Sequence, residues 1–176
     1  TNALLEGHFV LSSGLHSPKY IQCAQLMSKP DKASQICISL SKKIQKDLDD
    51  FDIILSPAMG GIVVGYELGR ILKKETIFAE RVNGKFTLRR DFSIKKNQKI
   101  LIIEDVITTG KSSLECSQLV AKNKASIVGF ACIIDRSNGR SLIKEKIVSQ
   151  VKLNIPTYKE NNLPKHLTLI KPIKPG

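Results

Sequence analysis

Hydrophobic and polar positions along the chain follow two periods. Residues 52–55, 76–79, 100–103 and 127–134 are short, largely apolar runs rich in β-branched residues. Runs of that kind suit strands covered on both faces. Between them the spacing becomes helical. From Asp31, a candidate N-cap, Ala33, Ile36, Cys37, Leu40, Ile44 and Leu48 recur on one face and predict a packing helix. Ser56-Pro57-Ala58-Met59-Gly60-Gly61 breaks the pattern before 62–72 resumes it. Alternating strands and helices imply an α/β fold, a central parallel sheet flanked by helices, with ligands at the carboxyl edge of the strands. The N-terminal stretch differs: Phe9-Val10-Leu11 and Tyr20-Ile21-Gln22-Cys23 flank the turn-forming Ser12-Ser13-Gly14 and predict two strands or a hairpin.

The 176 residues suffice for one core. The expected organisation is a single domain over 1–176, with a small N-terminal hood at 1–30 and the core and tail at 31–176. The Pro-containing tail from Pro164 onward is expected to be extended and peripheral. No stretch of eighteen apolar residues predicts a membrane span, and no basic segment leads into a long apolar run. Thr1 rather than Met at the first position reads as a processed or trimmed form. Cys23, Cys37, Cys116 and Cys132 are too scattered for a zinc site and read as reduced core thiols of a cytoplasmic protein. His8 and His16 read as loop or hydrogen-bonding residues, and His166 carries no site argument.

A net charge of +12 raises the question of nucleic acid. The lysines are dispersed, and three Tyr, six Phe and no Trp leave few stacking platforms. This argues against a nucleic-acid partner and suits a small polyanionic substrate.

The densest chemistry follows the run 100–103. Glu104-Asp105 is succeeded by Val106-Ile107-Thr108-Thr109-Gly110-Lys111-Ser112-Ser113. Hydroxyls, a glycine and a helix start form an anion loop, with Ser112 a candidate cap. Gly110-Lys111-Ser112 looks like the end of a P-loop, but Asp105 stands where that motif needs glycine, and a carboxylate there repels phosphate. A plain capped turn accounts for the hydroxyls but gives no reason for two adjacent charges. Pro57-Ala58-Met59-Gly60-Gly61 is either a second anion-binding turn or a tight turn that lets its helix pack closely on the sheet. Asn83-Gly84 is a strong turn signal that sets Arg81 and Lys85 on either side of a bend, where both could face one ligand or simply form a soluble hairpin. Arg136, just after the run 127–134, offers a planar fork for a carboxylate or carbonyl, unless Asp135 holds it in a surface ion pair.

The segment 104–110 resembles the phosphoribosyl pyrophosphate (PRPP) loop of the type I phosphoribosyltransferases. Residues 9–20, 77–90 and Asp135-Arg136 resemble, in the same order, segments of the orotate-using members of that family. The resemblance spans nearly the whole chain. It implies transfer of a phosphoribosyl group from PRPP to orotate. Lys85, Glu104 and Asp105 would be catalytic, and Arg81, Lys85 and 104–112 (Glu104, Asp105, Val106, Ile107, Thr108, Thr109, Gly110, Lys111, Ser112) would bind PRPP. Ala58, Met59, Gly60 and Gly61 would form a pyrophosphate loop, sometimes built in the family with an unusual peptide. Tyr20, Thr108 and Arg136 would meet orotate. Magnesium would arrive mainly through PRPP rather than on protein ligands, and a homodimer would share loop residues across its interface. The chain departs from the pattern where Ser12 and Gly60 replace lysines and Thr87 replaces a histidine, and Ile21 stands where some relatives carry a second aromatic. Alternatives are a family member using uracil or a purine, and a phosphoribosyltransferase-like regulator that binds RNA.

Overall fold

The computed structural model describes residues 3–11 and 13–175, so the departure at Ser12 lies outside the described residues. The chain divides into two compact units, Lys29–Leu153 and a discontinuous one made of Thr1–Ser28 with Asn154–Gly176.

The larger unit is the expected α/β core. Helix α2 (Pro30–Asp47) precedes β3 (Ile53–Pro57), α3 (Gly60–Leu72), β4 (Glu75–Val82), β5 (Lys85–Leu88), β6 (Lys99–Ile107), α4 (Lys111–Lys122), β7 (Ser126–Asp135) and β8 (Ile147–Lys152). Six strands run in the order β5-β4-β3-β6-β7-β8, all neighbours parallel except β4 with β5. Pleat alternation divides the core. Ile53, Leu55, Ile77, Ala79, Ile100, Ile102, Phe130 and Cys132 join Cys116 and Val120 of α4 in one cluster. The intervening Ile54, Leu101 and Ile103 are fully buried on the opposite face. This is why the sequence shows continuous apolar runs.

Several boundaries differ from the sequence reading. Helix α2 opens on Pro30, with Lys29 as its N-cap. Proline fixes a helical φ and has no amide hydrogen to leave orphaned, so Asp31 moves into the first turn, where its charge favours the helix end. Strand β6 continues four residues past the apolar run, carrying the acidic pair with it. Strand β8 went unread because its alternation (Ile147-Val148-Ser149-Gln150-Val151-Lys152) is short and half polar. Its edge is tied to α2 by Lys43, whose Nζ donates to the carbonyls of Gln150 at 2.7 Å and Ser149 at 3.3 Å.

In the smaller unit, β1 (Leu4–Val10) and β2 (His16–Ile21) form the expected antiparallel hairpin; the second strand ends at Ile21 rather than Cys23, which begins a short helix α1 (Cys23–Met27). The tail is largely exposed, as expected, but it is not loose. Val10 N–H donates to the Ile173 carbonyl and Ile173 N–H to that of His8, both at 2.8 Å, so the tail pairs with β1. The short helix α5 (Lys165–Thr168) buries Leu167. Unpaired backbone groups on β1 supplied this interaction, which no local pattern announces. His8 and His16 lie on strands and are buried. His8 Nδ1 lies 2.8 Å from the Ile170 carbonyl and must donate to it; neutral His8 then accepts through Nε2 from His16 Nδ1 at 2.6 Å.

Candidate active site

Parallel strands β3, β6 and β7 end at one edge of the sheet, where the connections to α3, α4 and β8 begin. The first is the glycine turn. Ala58 N–H donates to the Ala79 carbonyl at 2.8 Å, the Ala58–Met59 peptide is cis, and α3 starts at Gly60 without a side-chain cap. Both glycines lie against β6. A Cβ on Gly60 would stand 2.7 Å from either carboxylate oxygen of Asp105, and one on Gly61 would stand 2.9 Å from the Ile103 carbonyl. Any side chain at 60 displaces the Asp105 carboxylate, which is a local reason for glycine here.

Residues 104 and 105 are still on β6, so they leave opposite faces of the strand. Asp105 turns toward the start of α3. Its carboxylate accepts from Val106 N–H at 2.9 Å, and burial raises its pKa. Glu104 turns toward α4, where Ser113 Oγ donates to it at 2.7 Å. Burial pushes Glu104 up to about 7, Asp105 pushes the same way, and Ser113 and the Arg81 charge oppose. Ser113 is therefore a partner of a candidate catalytic group.

The anion loop is short. Thr108 and Thr109 are exposed, and Gly110, in the left-handed region at φ 78°, is the N-cap of α4. Ser112 does not cap; glycine's access to positive φ lets Lys111 begin the helix instead. Val106 and Ile107 are on β6, paired with Ile134 and Asp135 of β7.

The basic hairpin is β4–β5 itself. Asn83 (φ 50°) and Gly84 (φ 79°) form its two-residue turn, as the sequence indicated. Arg81 pairs with Phe86 and Val82 with Lys85, so Arg81 and Lys85 project from opposite faces. Within one subunit they do not face one ligand, because a two-residue turn fixes a register that separates them. The Arg81 guanidinium stacks 4.1 Å over Phe86, donates to the Gly84 carbonyl at 2.7 Å, and lies 2.6 Å from Glu115 of α4. Glu115 had no signal in the sequence. Lys85 and Thr87 are exposed.

Arg136 is half-buried after β7, its N–H donating to the Ile107 carbonyl at 2.8 Å, which places it beside the anion loop. Asp135 is not at the surface; it is buried and accepts from Ser137 N–H at 2.8 Å. Cys116 is buried, and burial pushes its thiol up to about 12, out of reach of a nucleophilic role near neutral pH. Tyr20 belongs to the smaller unit, opposite Leu5 on the hairpin and 5.8 Å from the Phe9 ring.

One edge of the parallel sheet thus gathers Glu104 and Asp105, a hydroxyl-rich loop and a glycine turn. The family model of the phosphoribosyl transferase domain matches residues 24–167, and the chain belongs to that family, with its type I fold. Its branch follows from curated relatives. The orotate phosphoribosyltransferase of Parvibaculum lavamentivorans is 42% identical over 175 residues, spanning 99% of this chain and 90% of its own. That of Methylorubrum extorquens is 46% identical over 175 residues, spanning 99% and 89%. The crystal structure of orotate phosphoribosyltransferase from Aeropyrum pernix shares the fold, with a TM-score of 0.74 at 24% identity over 86% of this chain and 88% of that one.

Proposed function

We propose that this chain transfers the 5-phosphoribosyl group of PRPP to orotate, giving orotidine 5'-monophosphate and pyrophosphate in pyrimidine biosynthesis. The observation that carries the reading is the Gly60–Asp105 apposition beside the anion loop, in a chain similar over nearly its full length to orotate phosphoribosyltransferases.

In the reaction the bond from the anomeric carbon to pyrophosphate breaks, positive character develops on the ribose, and an orotate ring nitrogen bonds to that carbon as its N–H proton passes to solvent or to the departing pyrophosphate. Asp105 is read as the carboxylate that holds ribose hydroxyls and favours the oxocarbenium-like state, with Glu104 behind it on the other face of β6. The hydroxyls and amides of 108–112 would take the 5'-phosphate, and the amides of 58–61 the pyrophosphate. Arg136 and Thr108 would meet the base. Arg81 would reach pyrophosphate by exchanging Glu115 for it.

Because Glu104 and Asp105 diverge, they do not form a shared cage for an ion. Magnesium carried by the diphosphate of PRPP would spread the departing charge. The projection of Lys85 away from Arg81 supports its action on a partner's site in a homodimer. Among the described residues no helix is long and apolar enough to cross a membrane, and the reading implies a cytoplasmic enzyme.

Orotate absorbance followed with PRPP and magnesium, with uracil and hypoxanthine in parallel, tests the assignment. Orotate loss that requires both reagents and disappears in Asp105→Asn is expected; turnover of another base alone overturns the substrate.

A further inference from the structure

Beyond Arg136 at its start, the connection between β7 and β8 has no assigned part in the reaction, yet it grips the anion loop at both ends. Arg136 N–H donates to the Ile107 carbonyl at 2.8 Å, and Leu142 N–H donates to the Thr109 carbonyl at 2.9 Å. The Ser141 hydroxyl lies 3.5 Å from the same Thr109 oxygen and accepts from Ile143 N–H at 3.1 Å. The connection is itself ordered from its root. The buried Asp135 carboxylate accepts from Ser137 N–H, the Ser137 carbonyl from Arg140 N–H at 2.9 Å, and its hydroxyl from Gly139 N–H at 3.3 Å. At its far end Ile143 is buried in the core cluster. The fit is close, since a Cβ on Gly110 would stand 2.7 Å from Ser141 Oγ and 2.8 Å from Ile143.

The consequence lies in one peptide unit. The bond between Thr109 and Gly110 is trans, so its carbonyl and its N–H point in opposite directions. With the Thr109 oxygen turned onto Leu142, the Gly110 N–H is turned away from the connection. The Leu142 side chain is 60% exposed, so what this position contributes is its backbone N–H.

We propose that the connection 136–143 acts as a template for the anion loop, and that the Leu142 amide, braced by Ser141, is the positioning group that presents Gly110 N–H to the 5'-phosphate. This rests on the reading that 108–112 binds that phosphate. Because the same connection begins at Arg136, it also fixes the spacing between the phosphate loop and the candidate base-binding arginine.

The test titrates ribose 5-phosphate into the full-length protein by calorimetry and measures KM for PRPP against kcat. Leu142→Ala keeps the amide and is expected to bind within about twofold of the parent. Leu142→Pro removes the donor and is expected to weaken ribose 5-phosphate and raise KM for PRPP by about tenfold or more, the cost of roughly one hydrogen bond, with kcat changed less. A folded Leu142→Pro that binds ribose 5-phosphate like the parent overturns the proposal. If that variant does not fold, Ser141→Ala decides: weakening of about threefold supports the template, and parent-like binding overturns it. A parent protein that itself fails to bind ribose 5-phosphate overturns instead the reading of the loop.

Discussion

Glu104 and Asp105 are neighbours in sequence but not in environment, because a strand sends successive side chains to opposite faces. Glu104 meets Ser113 and the charge of Arg81, whereas Asp105 meets Gly60. The raised pKa of Glu104 has a definite sign for stability. The folded state binds the proton more tightly than the unfolded chain, so the contribution of Glu104 to stability is greatest at low pH and is lost as pH rises from the ordinary 4.5 to about 7. Asp105 adds to the same trend. Glu104→Gln is expected to remove part of this slope, by at most about 3 kcal/mol, in urea denaturation compared at pH 5 and pH 8. Gly60→Ala is expected to keep the melting temperature within a few degrees and to lower kcat/KM for PRPP by about tenfold, because its Cβ moves the Asp105 carboxylate. Steady-state kinetics beside a thermal melt would show an unaffected kcat/KM if Asp105 were free of the substrate. The acidic pair was visible in the sequence; its division between two faces was not, since the length of β6 is set by pairing with β7 rather than by its own apolar run.

The hairpin β4–β5 shows what an element adds. Asn83-Gly84 specified a two-residue turn, and the turn then fixed a register that places Arg81 with Phe86 and Lys85 on the reverse face. Sequence spacing alone left open whether both cations face one ligand or simply form a soluble hairpin. Gly84→Val is expected to destabilise the protein by about 1–2 kcal/mol, because a β-branched residue is strained at positive φ, and a shift in the urea midpoint measures it. Helix α4 is a second case. Its polar start was legible, but the cap is Gly110, held by residues 141–143, some thirty positions away. That contact has no local signature.

For the molecule as a whole, the tail completes the smaller unit rather than trailing from it. Deleting 164–176 is expected to deprive β1 of its Ile173 partner and to abolish hydrogen-exchange protection at Val10, whose amide it holds. Protection unchanged in the truncated protein would contradict this role. If Lys85 serves a partner's site, two inactive variants, Lys85→Ala and Asp105→Asn, should regain activity when unfolded and refolded together, since one site per mixed dimer then has both residues intact. An inactive mixture whose mixed dimer has been isolated would instead confine Lys85 to its own subunit.

The sequence by itself determined the α/β class, the buried strands, the face of α2, the Asn83-Gly84 turn and the segments that carry the chemistry. Each depends on local period, on turn stereochemistry or on a motif contiguous along the chain. Tertiary structure alone decided that Gly60 must stay bare beside Asp105, that Arg81 rests on Glu115, that the tail pairs with β1, and that the β7–β8 connection orients the anion loop. These contacts join residues far apart in sequence through backbone groups and close approaches, and a backbone donor leaves no mark on residue type.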